Sequence, residues 1–449
     1  MWLLLAGTTL QAQVSLPRLQ VSLNGRYLAQ ESGKPFFYLG DTAWELFNKL
    51  DSAEAIRYLN DRAAKRFTVI QSHFLTLKSD WRNTYGELPF LNGDFDTPNE
   101  RYWRHVDFIV KEATNRGLYL AVVPAWCLFF IEKPDAPLYA DSARAYRYGR
   151  FLGERYKDFP NFIWVLGGDK RPTRHAIYRN LASGLTDAYA HGDPYRILLT
   201  YHPPGGTHRP PATSTGEFYH EEPWLDFNMI QSGHRVTNRN YERITEDYAR
   251  FPIKPTLDAE PCYEQHPQLH KYENGAFSAW HVRRRGWWSV LAGGCGFTYG
   301  GNGIWQMEKP GQIFLPTHFK DYWYDALQYE GAGQMQHLRS LVERLGLDRM
   351  VPDSTLLRSP GGTVDDRVQA ARDEAYEFVV AYITDGRPIA LDLTRLSSKR
   401  PGGYWFNPRT GQETPIKRIE PGVQTVFNPP TAGAENDWVL VVGKVKRPK

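Results

Sequence analysis

Eight short apolar runs alternate with longer amphipathic stretches over the first two thirds of the chain, and this alternation limits the possible folds most strongly. The runs are mostly unbroken rather than alternating, which is typical of parallel strands covered on both faces. Eight strands with intervening helices predict a (β/α)₈ TIM barrel. An open doubly wound sheet is the alternative, but no glycine-rich phosphate turn follows the first run. The predicted strands are Phe36–Gly40, Phe67–Gln71, Leu118–Pro124, Phe162–Gly167, Ile197–Tyr201, Phe227–Gln231, Pro255–Ala259 and Gly296–Tyr299.

The helices between these runs have recognisable ends. Thr97-Pro98-Asn99-Glu100 predicts a capping box with proline at the first helical position, and Gly117 is expected to end that helix. A final helix is predicted over His318–Leu345. The other predicted helices are Ser52–Arg66, Asp141–Tyr156, Arg174–Ala190, Asn238–Phe251 and Ala276–Ala292.

After this unit the pattern changes to short strands separated by turns. The sequence therefore predicts a barrel domain over residues 20–347, followed along the chain by a small antiparallel β-sandwich over residues 348–449. Its expected strands are Tyr376–Ile383, Ile389–Leu393, Gly403–Phe406, Gln424–Phe427 and Trp438–Val442.

Residues 1–19 begin with a short apolar stretch that ends in small and polar residues, like the second half of a secretory signal. A basic segment is missing from its start. We expect export to the periplasm or the extracellular space. No run approaches the 18 or so apolar residues of a membrane span, so none is predicted.

Two carboxylates each close an apolar run: Asp169 after the fourth and Glu260 after the seventh. In an eight-stranded barrel these positions face one another across the mouth, where such barrels place their chemistry. A pair of this kind serves glycoside hydrolysis, with one group protonated and the other ionised. Two alternatives remain: Asp169 as the N-cap of a helix, and Asp258 either as the nucleophile or as a neighbour that shifts the pKa of Glu260.

Polar and aromatic residues also follow the other predicted strands. A carbohydrate pocket uses such groups for hydrogen bonds to hydroxyls and for stacking, and aromatic residues make up 14% of the chain. The strands that carry the histidines are not neighbours in a suitable set, so no metal site is predicted, and no cofactor is expected. The predicted substrate-binding residues are Asp41, Trp44, His73, Trp126, His202, Gln231, His234, Asp258, Tyr299 and Trp305.

Charge and cysteine usage exclude several classes of partner. The net charge is only +4, and the longest basic run, Arg283-Arg284-Arg285, is interpreted as a solvated helix face, so nucleic acid is not expected to bind. Cys127, Cys262 and Cys295 give no disulfide framework and are interpreted as packing residues. An oligo- or polysaccharide is the expected partner, and no protein partner is evident.

Three segments together resemble the apiosidase-like glycoside hydrolases, family 140: Phe37–Trp44, Ile163–Asp169 and Asp258–Pro261. The segment Tyr404–Gly411 resembles the accompanying domain named for collagen binding, although collagen is not predicted as a ligand. Related barrels usually carry Asn-Glu after the fourth strand, whereas this chain has Gly168-Asp169, as in the apiosidase-like group.

The resemblance implies a retaining mechanism, with Asp169 as acid/base and Glu260 as nucleophile. It also implies exo-acting release of β-linked apiose from galacturonic acid in pectin. An endo-acting, glucanase-like enzyme and a non-catalytic carbohydrate-binding protein on the same barrel are the alternatives.

Overall fold

The computed structural model describes residues 16–77, 80–205, 213–364 and 366–444. All eight predicted strands are present, and with the intervening helices they confirm the TIM-barrel prediction. Parallel pairing links them in the order β5-β4-β3-β2-β1-β8-β7-β6. The strands are β1 (Tyr38–Thr42), β2 (Val69–His73), β3 (Tyr119–Val123), β4 (Phe162–Gly167), β5 (Leu199–His202), β6 (Asn228–Gln231), β7 (Thr256–Asp258) and β8 (Gly296–Tyr299).

The seam between β5 and β6 has no strand ladder; it is joined by two threonine hydroxyls and by a backbone bond from the Asp226 amide to the Leu199 carbonyl over 2.8 Å. The Thr215 hydroxyl donates to the Tyr201 carbonyl over 2.5 Å and accepts from the Met229 amide over 3.3 Å. Below it, the Thr200 hydroxyl donates to the Phe227 carbonyl over 2.6 Å. These buried hydroxyls close the barrel where backbone pairing is interrupted.

Helices surround the strands, and most of their ends agree with the predictions. Asp51 and Glu54 form a capping box at α2, and Asp141 caps α5. The helices are α1 (Leu46–Lys49), α2 (Ser52–Ala64), α3 (Glu100–Asn115), α4 (Cys127–Phe130), α5 (Ser142–Tyr156), α6 (His175–Tyr189), α7 (Asn240–Tyr248), α8 (Ala279–Leu291), α9 (Trp323–Ala326) and α10 (Glu330–Leu345).

Two helix predictions were wrong in detail. Asn99, not Thr97, caps α3, because the Thr97 hydroxyl bonds to carbonyls of the preceding turn instead. The helix predicted over His318–Leu345 is interrupted, and only its two parts α9 and α10 are helical. The start of α10 is set by Glu264, whose carboxylate accepts the Gly331 amide over 3.1 Å at the positive end of the helix.

The C-terminal region forms a six-stranded antiparallel sheet facing a two-stranded one. All five predicted strands are present, together with β9, β10 and β14, which the sequence pattern missed. Apolar side chains such as Val379, Leu391 and Phe427 fill the space between the two sheets. The strands are β9 (Met350–Pro352), β10 (Gln369–Asp373), β11 (Phe378–Ile383), β12 (Ile389–Leu391), β13 (Gly402–Phe406), β14 (Glu413–Pro415), β15 (Thr425–Phe427) and β16 (Trp438–Gly443).

The other face of the six-stranded sheet packs on helices α8 and α10 of the barrel. Val380 and Tyr382 of the sheet share one core with Trp287 and Leu338 of the helices. The Trp287 and Tyr382 rings stack with their centroids 5.9 Å apart. The large sheet is therefore buried on both faces.

The prediction of a solvated face for Arg283-Arg284-Arg285 was wrong, because all three side chains are buried. Arg283 forms two bonds of 2.9 and 2.7 Å with the carboxylate of Asp437 in the C-terminal domain. Arg284 lies over the Trp280 ring, and Arg285 donates to backbone carbonyls of the segment after β6. Packing of the second domain on α8 therefore buries Arg283 in the domain interface, whereas these contacts of Arg284 and Arg285 are within the barrel domain.

A small antiparallel sheet of three strands, Leu19–Val21, Leu28–Gln30 and Pro35–Phe36, packs at the N-terminal ends of the barrel strands. Tyr119, at the start of β3, donates to the Pro17 carbonyl over 2.6 Å. Most of the predicted leader, residues 1–15, lies outside the described residues. Among the described helices, none has both the length and the apolar character needed to span a bilayer.

Candidate active site

Asp169 is held at the barrel mouth by a turn of unusual backbone conformation. Gly167, Gly168 and Asp169 have φ angles of 89°, 123° and 57°. A Cβ atom on Gly168 would lie 2.5 Å from the Trp126 ring, so only glycine allows this contact. Because helix α6 begins only at His175, the N-cap alternative for Asp169 does not hold.

Glu260 follows β7 and is contacted by two histidines. Nε2 of His202 lies 3.0 Å from Oε2 of Glu260, and Nε2 of His234 lies 3.7 Å from Oε1. One polar atom each from Asp169, His202 and Glu260 lie within 4.8 Å of one another. Strand counting thus placed the two carboxyl groups across one mouth, and the structure brings them close together.

The two carboxyl groups have opposite pKa shifts. Burial opposes ionisation of Glu260, but His202 and His234 outweigh it and lower the pKa of Glu260 to about 2. Desolvation of the carboxyl group, and then the negative charge of Glu260, raise the pKa of Asp169 to about 7. Near neutral pH one group is ionised and the other can carry a proton, as an acid–nucleophile pair requires.

A cavity of 410 Å³, here called the mouth cavity, contains both carboxyl groups. Three of its walls are the tryptophans Trp44, Trp126 and Trp305, and Gln231 and His234 also line it. Trp44 and Trp126 meet edge to face at 4.7 Å and both pack on the ring of His202. Seven of the twelve predicted site residues therefore line one cavity, and aromatic rings dominate its walls.

A second cavity of 670 Å³, the side cavity, adjoins the first at Asp169. Lys170, Arg171 and Arg243 line it, together with Glu132 and Glu217. Arg171 pairs with Glu217 at 3.1 Å. Asp169 therefore stands at the boundary between an aromatic space and a strongly charged one.

Three residues predicted to bind substrate are instead structural. Asp41 is fully buried and accepts from Tyr58 and Arg62 over 2.6 and 2.5 Å, below the mouth. The Tyr299 hydroxyl donates to Glu264 over 2.7 Å and lies inside the core. Tyr58 and Arg62 lie on helix α2 and Glu264 lies on a loop. The order of strands in the sequence does not predict contacts with such elements.

Asp258 is the third correction. β7 ends at Asp258, so the alternation of a strand does not carry through to Glu260. The Asp258 carboxylate faces away from the mouth cavity and accepts from Ser232 and Asn240 over 2.8 and 2.9 Å. The alternative of Asp258 as nucleophile is therefore excluded by its position.

His73 and His202 lie behind the cavity walls rather than in them. His73 is buried, stacks on Trp44 at 6.1 Å and lies 3.9 Å from Glu45. His202 supports both tryptophans and contacts Glu260. Both histidines therefore reach a substrate only through other residues.

Sequence reasoning missed several residues of the mouth cavity. They lie on the segments after β7 and β8, whose course no strand pattern predicts: His266, His270, Gln306, Phe314 and His318. Tyr263 was also missed; it is buried beside Glu260, whose charge adds to burial in raising the pKa of the phenol. The density of histidines between residues 266 and 318 was the available signal.

Two groups among the described residues have a spacing that could hold a metal ion. One is Asp169 with His202 and Glu260, and the other is His266 with His270 and His318. The first group is also the carboxylate pair described above.

The chain and its fold are similar to known proteins. A family model described as "Apiosidase-like, catalytic domain" matches residues 22–348, and one described as "Putative collagen-binding domain of a collagenase" matches residues 351–443. No curated protein matches the chain.

Two solved structures are similar over nearly the whole chain. A glycoside hydrolase is 32% identical, covers 96% of this chain and 98% of its own, and has a TM-score of 0.86. A glycoside hydrolase family 5 structure from Bacteroides vulgatus ATCC 8482 is also 32% identical, covers 96% and 95%, and has a TM-score of 0.86. A putative glycoside hydrolase from the same organism has the same fold at 14% identity, with a TM-score of 0.67 and coverage of 96% and 83%.

A TIM barrel with two carboxyl groups at its mouth, together with these similarities, defines a glycosidase. The chain belongs to the apiosidase-like family of glycoside hydrolases, and its C-terminal β domain matches the collagen-binding-type model.

Proposed function

We propose that this enzyme is a retaining exo-glycosidase that releases β-linked apiose from galacturonic acid in pectin side chains. The observation that carries the mechanism is the carboxylate pair. One oxygen of Asp169 lies within 4.8 Å of one oxygen of Glu260. This proximity favours the separation of about 5–5.5 Å between carboxyl groups that retaining enzymes use over the 6.5–9.5 Å or so that inverting enzymes need. Their opposite pKa shifts support the same division of roles.

In the first step, ionised Glu260 attacks the anomeric carbon while Asp169 gives its proton to the departing oxygen. A covalent glycosyl–enzyme forms, and the leaving alcohol departs. Asp169, now ionised, then removes a proton from water, which attacks the same carbon and releases Glu260. His202 and His234 stabilise the ionised Glu260 before attack and after release.

The two cavities support the proposed substrate. The mouth cavity contains Glu260 and three tryptophans, which suits one sugar ring stacked at its end. The side cavity begins at Asp169, where the leaving group would emerge, and its Lys170, Arg171 and Arg243 suit the carboxylate of a uronic acid. The proposal of apiose itself rests on the family resemblance.

Hydrolysis of rhamnogalacturonan II fragments by the whole chain tests the substrate. We expect a free monosaccharide, identified as apiose, that leaves first as the β anomer in a time-resolved NMR spectrum. Release of oligosaccharides would instead indicate the endo-acting alternative, and binding without hydrolysis would indicate a non-catalytic protein. Initial release of the α anomer would contradict retention.

Replacement of Glu260 tests the nucleophile. Glu260→Ala should abolish turnover, and added azide should restore cleavage of an activated aryl glycoside because it can occupy the vacated space and attack the sugar. Asp169→Asn should slow the natural substrate by about 10²–10⁴-fold, whereas an activated substrate needs no acid for its first step. Asp193→Asn, at an exposed position, is the control. Near-normal activity of Glu260→Ala would contradict the assignment.

We also propose that the enzyme acts outside the cytoplasm, where pectin is found. The apolar stretch near Met1 supports this. N-terminal sequencing of the protein recovered from culture fluid or periplasm should show that the stretch has been removed, and recovery only from the cytoplasm would contradict export.

A further inference from the structure

Three histidines on one wall of the mouth cavity have no role in the carboxylate chemistry. His266 and His270 follow β7, and His318 lies on the segment between β8 and α9. One ring nitrogen of each lies within 4.8 Å of one ring nitrogen of both others. The rings of His270 and His318 are nearly parallel, at 19° and 4.8 Å between centroids.

His266 has the tautomer that a metal ligand needs. Its Nδ1 lies 2.9 Å from the Pro267 carbonyl, so Nδ1 donates there and Nε2 carries the lone pair. Metal-bound histidines are oriented by such a hydrogen bond, donated by the ring nitrogen that does not bind the metal.

The backbone around the cluster is held in place from two sides. Leu269 and His270 both have left-handed φ angles, 52° and 63°, which are unfavourable for non-glycine residues and often occur at ligand sites. The Asn302 amide donates to the Gln265 carbonyl over 3.0 Å and to the His318 carbonyl over 2.7 Å. One side chain therefore fastens together the two segments that supply the histidines.

We propose that His266, His270 and His318 form a binding site for a divalent transition metal of the zinc class, with the open coordination position facing the mouth cavity. Neutral imidazoles are preferred ligands of such ions, and three of them with one open position is a known zinc arrangement. Binding draws the three nitrogens to about 2.0–2.1 Å from the ion. Hard ions such as Ca²⁺ prefer oxygen ligands and should bind poorly.

The proposed metal site lies close to Glu260. The ring of His266 stacks on that of His234 at 4.0 Å, and His234 contacts Glu260 at 3.7 Å. The ion would therefore face the same space as the reacting sugar, where a water molecule or a sugar hydroxyl could complete its coordination. This inference does not depend on the identity of the sugar.

Titration of the chelator-treated whole chain with Zn²⁺ in a calorimeter tests the proposal. We expect one ion per chain, with Ca²⁺ giving no comparable heat. Co²⁺ should give the strong visible absorption of a four-coordinate site. Wild-type protein that binds neither Zn²⁺ nor Co²⁺ would overturn the proposal.

Variants locate the ion. His270→Gln and His318→Gln change half-buried side chains, and each should weaken Zn²⁺ binding by at least about tenfold. His191→Asn, on an exposed turn after α6, should leave the affinity unchanged. Circular dichroism of each variant checks that it folds. Zn²⁺ affinity that is unchanged in both cluster variants would show that the ion binds elsewhere and would overturn the proposal.

Discussion

Asp169 and Glu260 differ in pKa because of their neighbours, not because of their chemical type. Glu260 touches two imidazoles, whereas Asp169 faces an aromatic wall and the negative charge of Glu260. In the proposed mechanism Asp169 must be protonated when the leaving group departs, so its pKa of about 7 is expected to set the upper limit of activity.

From this we expect kcat/KM to be level in mildly acidic solution and to fall about tenfold per pH unit above pH 7. The acid limb should lie at very low pH, because Glu260 stays ionised down to a pKa of about 2. A pH series with an uncharged substrate measures both limbs. An optimum well above pH 8 would contradict the assignment of Asp169 as the acid.

Replacement of His202 should move this profile. His202 lowers the pKa of Glu260 and also that of Asp169, so in His202→Gln both limbs should shift to higher pH. His73→Gln is the matched control, since His73 packs on the same tryptophans but its nearest carboxylate is Glu45. A shift in His73→Gln as large as in His202→Gln would attribute the effect to packing rather than charge.

Among individual residues, the sequence correctly placed those whose position follows from the order of the strands alone. Asp169 and Glu260 are such residues. Asp41 and Tyr299 also follow strands, but Arg62 and Glu264 bind them inside the core. Those partners lie on other elements, so their pairing depends on tertiary packing that no strand-end pattern contains.

Among the elements, the turn after β4 leaves no room for a side chain at Gly168. Gly168→Ala places a methyl group 2.5 Å from the Trp126 ring, so we expect displaced Trp126 and Asp169 and at least about a tenfold loss of kcat. Gly192→Ala is the control: its φ of 79° is also left-handed, but nothing lies within 4 Å. Both variants should lose about 1–2 kcal/mol of stability from the backbone, measured by urea unfolding. Equal activities would contradict the role of the turn.

The β5–β6 seam gives a second prediction for an element. Thr215→Val keeps the shape but removes the bonds to Tyr201 and Met229, and we expect a loss of about 1–3 kcal/mol in the free energy of unfolding. Thr114→Val is a milder change, because the Val110 carbonyl that accepts its hydroxyl lies inside helix α3 and keeps its helical partner. If both variants unfold at the same urea concentration, the seam does not depend on this hydroxyl.

The prediction of elements succeeded where local patterns are strong. All eight barrel strands are apolar runs that stay buried in any parallel sheet, so their order could be read directly. The missed strands β9, β10 and β14 are short or carry polar residues, and only their partners identify them. The burial of Arg283 could not be predicted either, because Asp437 lies in the other domain.

For the whole molecule, the Arg283–Asp437 pair joins the two domains in a buried contact. Asp437→Ala leaves the guanidinium without its counter-charge, and we expect a loss of about 3–5 kcal/mol in unfolding free energy. Glu413→Gln removes a second pair across the same interface, but its partner Arg344 is 52% exposed, so the loss should be about 0–1 kcal/mol. Similar losses in both variants would mean that burial of the Arg283–Asp437 pair does not add to the free energy of unfolding.

The sheet that is covered on both faces also limits how this enzyme can be rearranged. Accessory domains that hang on a linker can be exchanged between enzymes as independent parts. Here the large sheet shares a core with α8, the helix that leads directly into β8. A gene fusion that moved the barrel without its partner would expose tryptophan and leucine side chains of the shared core, so we expect the two parts to be transferable only as one piece.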